Sequence, residues 1–238
     1  MRTAMWHAHW PIAPAPISSQ PSKWQWSDRS PKANSALPHL RRRRKQPPAP
    51  SYAPPARAAA DTLVRQAALI APQYQDAAQE TPTTAAESLY RGILRATRRE
   101  FDQAEQDITE ALRLDPGMAL THYNRGVLYL LLAHNDQALA DFDAAARLAP
   151  DLAQTYYNRG IAYARAGDMV QAVLDFTEAI AIDPAYVEAF NNRGFAFEVM
   201  GERQRAEADF ITAWKLQPDN SRFRCKLLDL GLAAIVEP

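Results

Sequence analysis

Tyr123-Asn124-Arg125-Gly126 returns as Tyr157-Asn158-Arg159-Gly160 and again as Asn191-Asn192-Arg193-Gly194, each time 34 residues on. One period upstream the same frame holds Leu89-Tyr90-Arg91-Gly92. Twelve residues after each glycine stands an alanine, at Ala104, Ala138, Ala172 and Ala206, and each unit closes on a proline, at Pro116, Pro150, Pro184 and Pro218. A fixed period of this length marks a stacked array, because a unit so small cannot bury its apolar face alone.

Inside a unit, two segments with helical apolar spacing flank a short polar break: His134-Asn135-Asp136, Ala166-Gly167-Asp168 or Met200-Gly201-Glu202. Each unit therefore reads as two antiparallel helices joined by a tight turn. Glycine inside a helix costs about 1 kcal/mol relative to alanine, so four glycines at one phase need a packing reason. The expected reason is close approach of the second helix at its alanine, with Tyr129, Tyr163 and Phe197 beside the glycine and Phe142, Phe176 and Phe210 filling from across. Ala111, Ala145, Ala179 and Ala213 then admit the next unit, and the proline ends the helix. Arg91, Arg125, Arg159 and Arg193 each precede a glycine, and Asp107, Asp141, Asp175 and Asp209 stand 16 residues later. That pairing predicts one ion pair between the two helices of every unit. A partly buried pair of this kind sets orientation more than it adds stability.

These units resemble tetratricopeptide repeats across about residues 85 to 220, with the Gly, aromatic, Ala, Phe, Ala and Pro positions matched in three consecutive units. The first unit departs, with Arg95 and Ile108 at the two aromatic places, as suits an atypical terminal repeat. The resemblance implies an all-α solenoid of four repeats (85–118, 119–152, 153–186 and 187–220). Phe223, Leu227, Leu230 and Ala234 share one face of the segment that follows, so residues 221–238 read as a capping helix over the last apolar surface.

The resemblance also implies a non-catalytic adaptor that holds a partner peptide or helix in a concave groove lined by first helices. Carried onto this chain, the groove candidates include Leu89, Leu120, Tyr123, Leu131, Tyr157, Arg165 and Asn191. Tyr123 and Tyr157 are the expected aromatic anchors. The lysine-and-asparagine clamp with which some members hold a terminal carboxylate is missing, since its places carry Leu89, Ile93, Asn124, Gln154 and Asn158, or Tyr123, Val127, Asn158, Glu188 and Asn192. Acids of the second helices, among them Asp102, Glu105, Glu110, Asp143, Glu178 and Glu207, read as a solvated outer face.

The formal charge of zero averages two opposite segments. Residues 1–58 hold ten Lys or Arg against the single Asp28, a net of +9, and the remainder holds 17 basic and 26 acidic residues, a net of −9. Eleven of the 18 prolines fall in residues 1–55, without a glycine, so residues 1–58 read as a disordered Pro/Arg-rich tail. Residues 59–84 read as a lead-in helix, closed by Pro72, and a polar linker. The run Arg41-Arg42-Arg43-Arg44-Lys45 offers the alternative function, contact with nucleic acid or an anionic membrane. The run reads more simply as a solvated charge run in that tail, so a protein partner is expected over nucleic acid.

No apolar stretch has the length of a signal core or a membrane span, which favours the cytoplasm, while the Arg-rich, acid-poor tail also suits organelle targeting. A further alternative is an assembly scaffold of the bacterial envelope, by resemblance to periplasmic lipoproteins with such repeats, although no lipid-attachment motif is visible. Cys225 is the lone cysteine, is expected to be buried or inert, and cannot form an intrachain disulfide. His122 and His134 have no nucleophile or phosphate loop beside them, and His7 and His9 lack a third ligand. No enzyme activity, cofactor or metal is expected.

Overall fold

The computed structural model describes residues 82–236. The basic tail, including Arg41 to Lys45, and the lead-in segment to residue 81 lie outside the described residues. The described chain begins with a reciprocal cap: the Glu87 amide donates to Thr84 Oγ1 at 3.2 Å, and the Thr84 amide donates to Glu87 Oε2 at 3.1 Å. This satisfies donors that a helix start otherwise leaves open. Four helix pairs follow: α1 (Ala85–Thr97) with α2 (Phe101–Leu114), α3 (Ala119–Leu131) with α4 (Asn135–Leu148), α5 (Ala153–Ala166) with α6 (Met169–Ile182), and α7 (Val187–Val199) with α8 (Arg203–Leu216). The described residues form no strand.

The helix ends have physical causes that repeat with the period. Asp115, Ala149, Asp183 and Gln217 each end a second helix with φ between −143° and −126°, the extended backbone that a following proline imposes. The turn inside each pair is a left-handed cap. Arg99, Ala133, Gly167 and Gly201, again 34 apart, have φ of 64°, 59°, 88° and 80°. The next amide in each case donates back to Arg95, Tyr129, Tyr163 or Phe197, closing the first helix. Two of these four positions carry a side chain where glycine is the unstrained choice.

Packing within a pair turns on one contact. A Cβ added at Gly126, Gly160 or Gly194 would lie 2.7, 2.8 or 2.9 Å from Cε1 of Phe142, Phe176 or Phe210. The glycine therefore clears room for an aromatic ring of the second helix. In these three repeats the atoms nearest the glycine belong to this ring, whereas at Gly92 the Ala104 carbonyl oxygen is among them, 3.0 Å away. Burying each Phe side chain contributes about 1.5–3 kcal/mol. In the first repeat Ile108 takes the ring's place.

The core of the first three repeats runs on as far as Ala189, while Phe197, Ala206, Phe210, Leu227 and Val236 form a second cluster under the C-terminal cap. That cap is two helices, α9 (Ser221–Asp229) and α10 (Ala233–Val236), and not the single expected one. Gly231, at φ 79°, breaks it, because the Leu232 amide turns back to the Leu227 carbonyl. The break places Ala234 in solvent and Val236 in the core. Cys225, expected to be buried or inert, is exposed on α9, so it is not buried. Successive first helices approach one another more closely than successive second helices do. First helices thus line the inner wall of the array and second helices the outer.

Candidate partner-binding surface

Each repeat locks its two helices through the Arg–Asp pair. Arg91 holds Asp107 from Nε and Nη2 at 2.9 and 2.6 Å, and Arg125 holds Asp141 at 2.7 and 2.8 Å. Arg159 holds Asp175 at 2.8 and 2.7 Å, and Arg193 holds Asp209 at 2.8 Å twice. All four aspartates are buried, so each fork repays a desolvation cost. The Asp175 hydrogen bonds hold the Arg159 guanidinium well above the usual arginine range. Burial pushes the Asp175 carboxyl above its ordinary value, although the Arg159 bonds pull the other way.

The third guanidinium nitrogen carries information that the spacing of 16 inside a repeat does not show. Arg159 Nη1 donates to Asp143 at 2.8 Å and Arg193 Nη1 to Thr177 at 3.0 Å, each on the second helix of the preceding repeat. One residue thus joins three helices. His122 sits with Nδ1 3.1 Å from Asp141 Oδ1, and Arg95 adds a second cation to Asp107 at 2.8 Å.

The two expected anchors lie elsewhere than supposed. Tyr123 is 1% exposed and Tyr157 is 6% exposed, and Leu89 is buried with them. The Asn158 amide donates to the Tyr123 hydroxyl at 3.0 Å, and the Asn192 amide to the Tyr157 hydroxyl at 3.0 Å. Tyr186, the last residue of the third repeat, lies against Tyr157 with ring centroids 4.8 Å apart. Burial holds the Tyr123 hydroxyl well above the usual phenol value, against the opposing pull of the Asn158 bond. These tyrosines are corrected from open anchors to stitches between repeats. Arg165 also bridges repeats, donating from Nη1 to the Leu130 carbonyl in the last turn of α3.

What remains reachable on the inner wall is a strip with two characters. Ala86, Leu120 and Leu131 are partly exposed toward the amino-terminal side. Gln154 and Glu188 are exposed, and Arg165, Asn191 and Glu198 partly exposed, toward the carboxyl side. Asn191 donates to Asn192 Oδ1 at 3.2 Å, and Glu198 receives Lys226 of α9 at 2.8 Å. On the outer wall four of the six expected solvated acids are engaged: Glu105 accepts from Tyr129, Glu110 from Arg113, Asp143 from Arg159 and Glu207 from Arg203.

Two family models match, both described as tetratricopeptide repeat, over residues 119–152 and 153–186. Those bounds coincide with the second and third helix pairs. The chain is a tetratricopeptide repeat protein. Solved structures of such repeat proteins share the fold. A crystal structure of MamA is 21% identical, covers 63% of this chain and 87% of its own, and has a TM-score of 0.57. MamA from residue 41 to its end, from Desulfovibrio magneticus RS-1, is 19% identical over 69% of this chain and 94% of its own, with a TM-score of 0.56. YrrB, a tetratricopeptide repeat protein with an unusual peptide-binding site, is 21% identical over 71% of this chain and 85% of its own, with a TM-score of 0.55. No curated protein matches by sequence. Among the described residues of this tetratricopeptide repeat protein, no helix is long and apolar enough to cross a membrane, and no group of three or more metal-ligating side chains occurs.

Proposed function

We propose that the repeat array is a non-catalytic adaptor whose inner wall holds a segment of a partner protein. The observation that carries this reading is the accessible strip on the first helices, apolar at Ala86, Leu120 and Leu131 and polar from Gln154 to Glu198. The tyrosine, asparagine and arginine bonds across the repeats fix the spacing of that strip in advance, so little ordering cost falls on the protein when a segment docks. An extended or helical segment with aliphatic side chains at one end and polar or basic ones at the other suits its surface. That YrrB, on the same fold, has a peptide-binding site supports the reading.

The test is affinity capture from lysate with three baits: the full chain, the chain from residue 82, and the full chain carrying Leu120→Lys and Leu131→Lys. A partner kept by the second bait and lost by the third supports groove binding. The salt response separates the alternative, because contact through Arg41 to Lys45 with nucleic acid or an anionic membrane weakens steeply as salt rises. Capture that vanishes with the tail and ignores both leucines replaces the adaptor reading with that one.

A further inference from the structure

The spacing that opens each later repeat also holds ahead of α1. Helices α3, α5, α7 and α9 begin three residues after Pro116, Pro150, Pro184 and Pro218, and α1 begins three residues after Pro82. One period before Ile108, in the place of Phe142, Phe176 and Phe210, stands Tyr74. One period before Ala111, in the place of Ala145, Ala179 and Ala213, stands Ala77. Tyr74, Ala77 and Ala78 fall at helical spacing on one face, and Pro72 suits a first helical position because its φ is preset. Pro54 and Pro55 break the place where a first helix of the same unit would run, and its glycine place holds Ala58.

The face that α1 turns toward this segment is a buried one. In later repeats the side of the first helix that carries Tyr129, Asn158 and Arg159 turns to the preceding repeat, where it reaches Glu105, Tyr123 and Asp143. On α1 the same side carries Arg95, Tyr90 and Arg91, with Ser88 one turn before Arg91. No described helix precedes α1, yet Ser88 is 0% and Tyr90 2% exposed. We propose that residues 72–80 form the second helix of a fifth, truncated repeat and pack on this face of α1, covering Ser88 and Tyr90. The occupant is this segment and not a second chain, because only five residues separate Glu80 from Ala85, and so short a tether gives an effective concentration that a separate chain does not reach. With no first helix ahead to offer a tyrosine hydroxyl, the asparagine of the later repeats gives way to Tyr90, whose ring fills the space instead. Gln75 stands two periods before Asp143, and so serves Arg91 as Asp143 serves Arg159. Residues 73–80 then belong to the array and not to a linker, and both ends of the solenoid have the cover that solubility requires.

Amide hydrogen exchange on the full chain, read by mass spectrometry, tests this cap. Residues 76–80 should exchange about 100-fold more slowly than an unstructured chain. Tyr74→Asp with Ala77→Asp places two charges against α1, and should abolish that protection and lower protection in α1 by about tenfold, while α5 to α8 keep theirs. Tyr90→Ala cuts the contact from the other side, and should speed exchange in residues 76–80 without any change in that segment's own sequence. Gln79→Lys, on the opposite face of the same helix, should leave both regions as they were. Exchange of residues 76–80 at the unstructured rate in the unaltered chain overturns the proposal. So does protection there that Tyr90→Ala leaves intact, because the segment would then be ordered without resting on α1. The capture bait that begins at residue 82 lacks this cap, so a bait from residue 59 distinguishes a partner that needs the cap from one that needs the basic run.

Discussion

Between the second and third repeats Asn158 reaches Tyr123 and Arg159 reaches Asp143; between the third and fourth, Asn192 reaches Tyr157 and Arg193 reaches Thr177. Between the first and second, the tyrosine place holds Leu89, the Asn124 carbonyl oxygen is buried without a partner, and Arg125 bonds only within its own repeat among the described residues. Tyr129 donates to Glu105 across that first junction at 2.7 Å. The intra-repeat turns divide along the same line, with Arg99 and Ala133 strained in the left-handed region where the later repeats have Gly167 and Gly201. In a solenoid, stability is a sum of unit and nearest-neighbour terms, so a junction with fewer ties is where the array opens first.

The comparison breaks most visibly at arginine. Arg159→Ala strands a buried Asp175 and cuts the tie to Asp143, for an expected loss of about 3 kcal/mol in urea unfolding followed by helical circular dichroism. Arg125→Ala should cost less, about 2 kcal/mol, because His122 stays beside Asp141 and no inter-repeat bond is lost. Equal losses would show the bond to Asp143 to be idle.

The turns give a reciprocal test. Ala133→Gly relieves a left-handed side chain and should gain about 1 kcal/mol, whereas Gly167→Ala, with open space around it, should lose about the same through backbone strain alone. Tyr123→Phe and Tyr157→Phe each remove one stitch and keep the ring, for an expected loss of about 1 kcal/mol apiece. Amide hydrogen exchange sharpens the same contrast: α1 and α2 should exchange through cheaper openings than α5 to α8. If Tyr157→Phe does not lower protection at the third junction, the stitch contributes nothing there.

Alkaline pH probes the first junction by itself. Burial, and then the hydrogen bond to Glu105, push the Tyr129 hydroxyl up to about 12 from the ordinary 10.0. The native state therefore keeps its proton where the unfolded chain releases it. The stabilising contribution is complete below about pH 10 and is lost as pH rises toward about 12. Tyr129→Phe should flatten that part of a stability-against-pH curve, measured by thermal unfolding.

Much of this organisation could be read from residues alone. The period, the helix pairs, the proline stops and the Arg–Asp spacing all arise inside one repeat. Contacts there are set by helical geometry over 16 residues or fewer, and that geometry is nearly the same in every repeat. What Tyr123, Tyr157 and Arg165 do could not be read that way. Each makes its decisive contact 35 residues away, in the adjacent repeat. Whether a tyrosine on a first helix faces a groove or a neighbour depends on the small rotation between stacked units. Tyr186 packs against Tyr157, where the same place one period upstream holds Leu152, so the repeat motif does not announce that contact. The sequence by itself determined that this chain stacks helical pairs and where each pair begins and ends, because those are short-range consequences of spacing, glycine and proline. Only the tertiary structure decided which side chains of the inner wall remain open to a partner, and that Ser88 and Tyr90 are buried on α1, because exposure belongs to the stack and not to the unit.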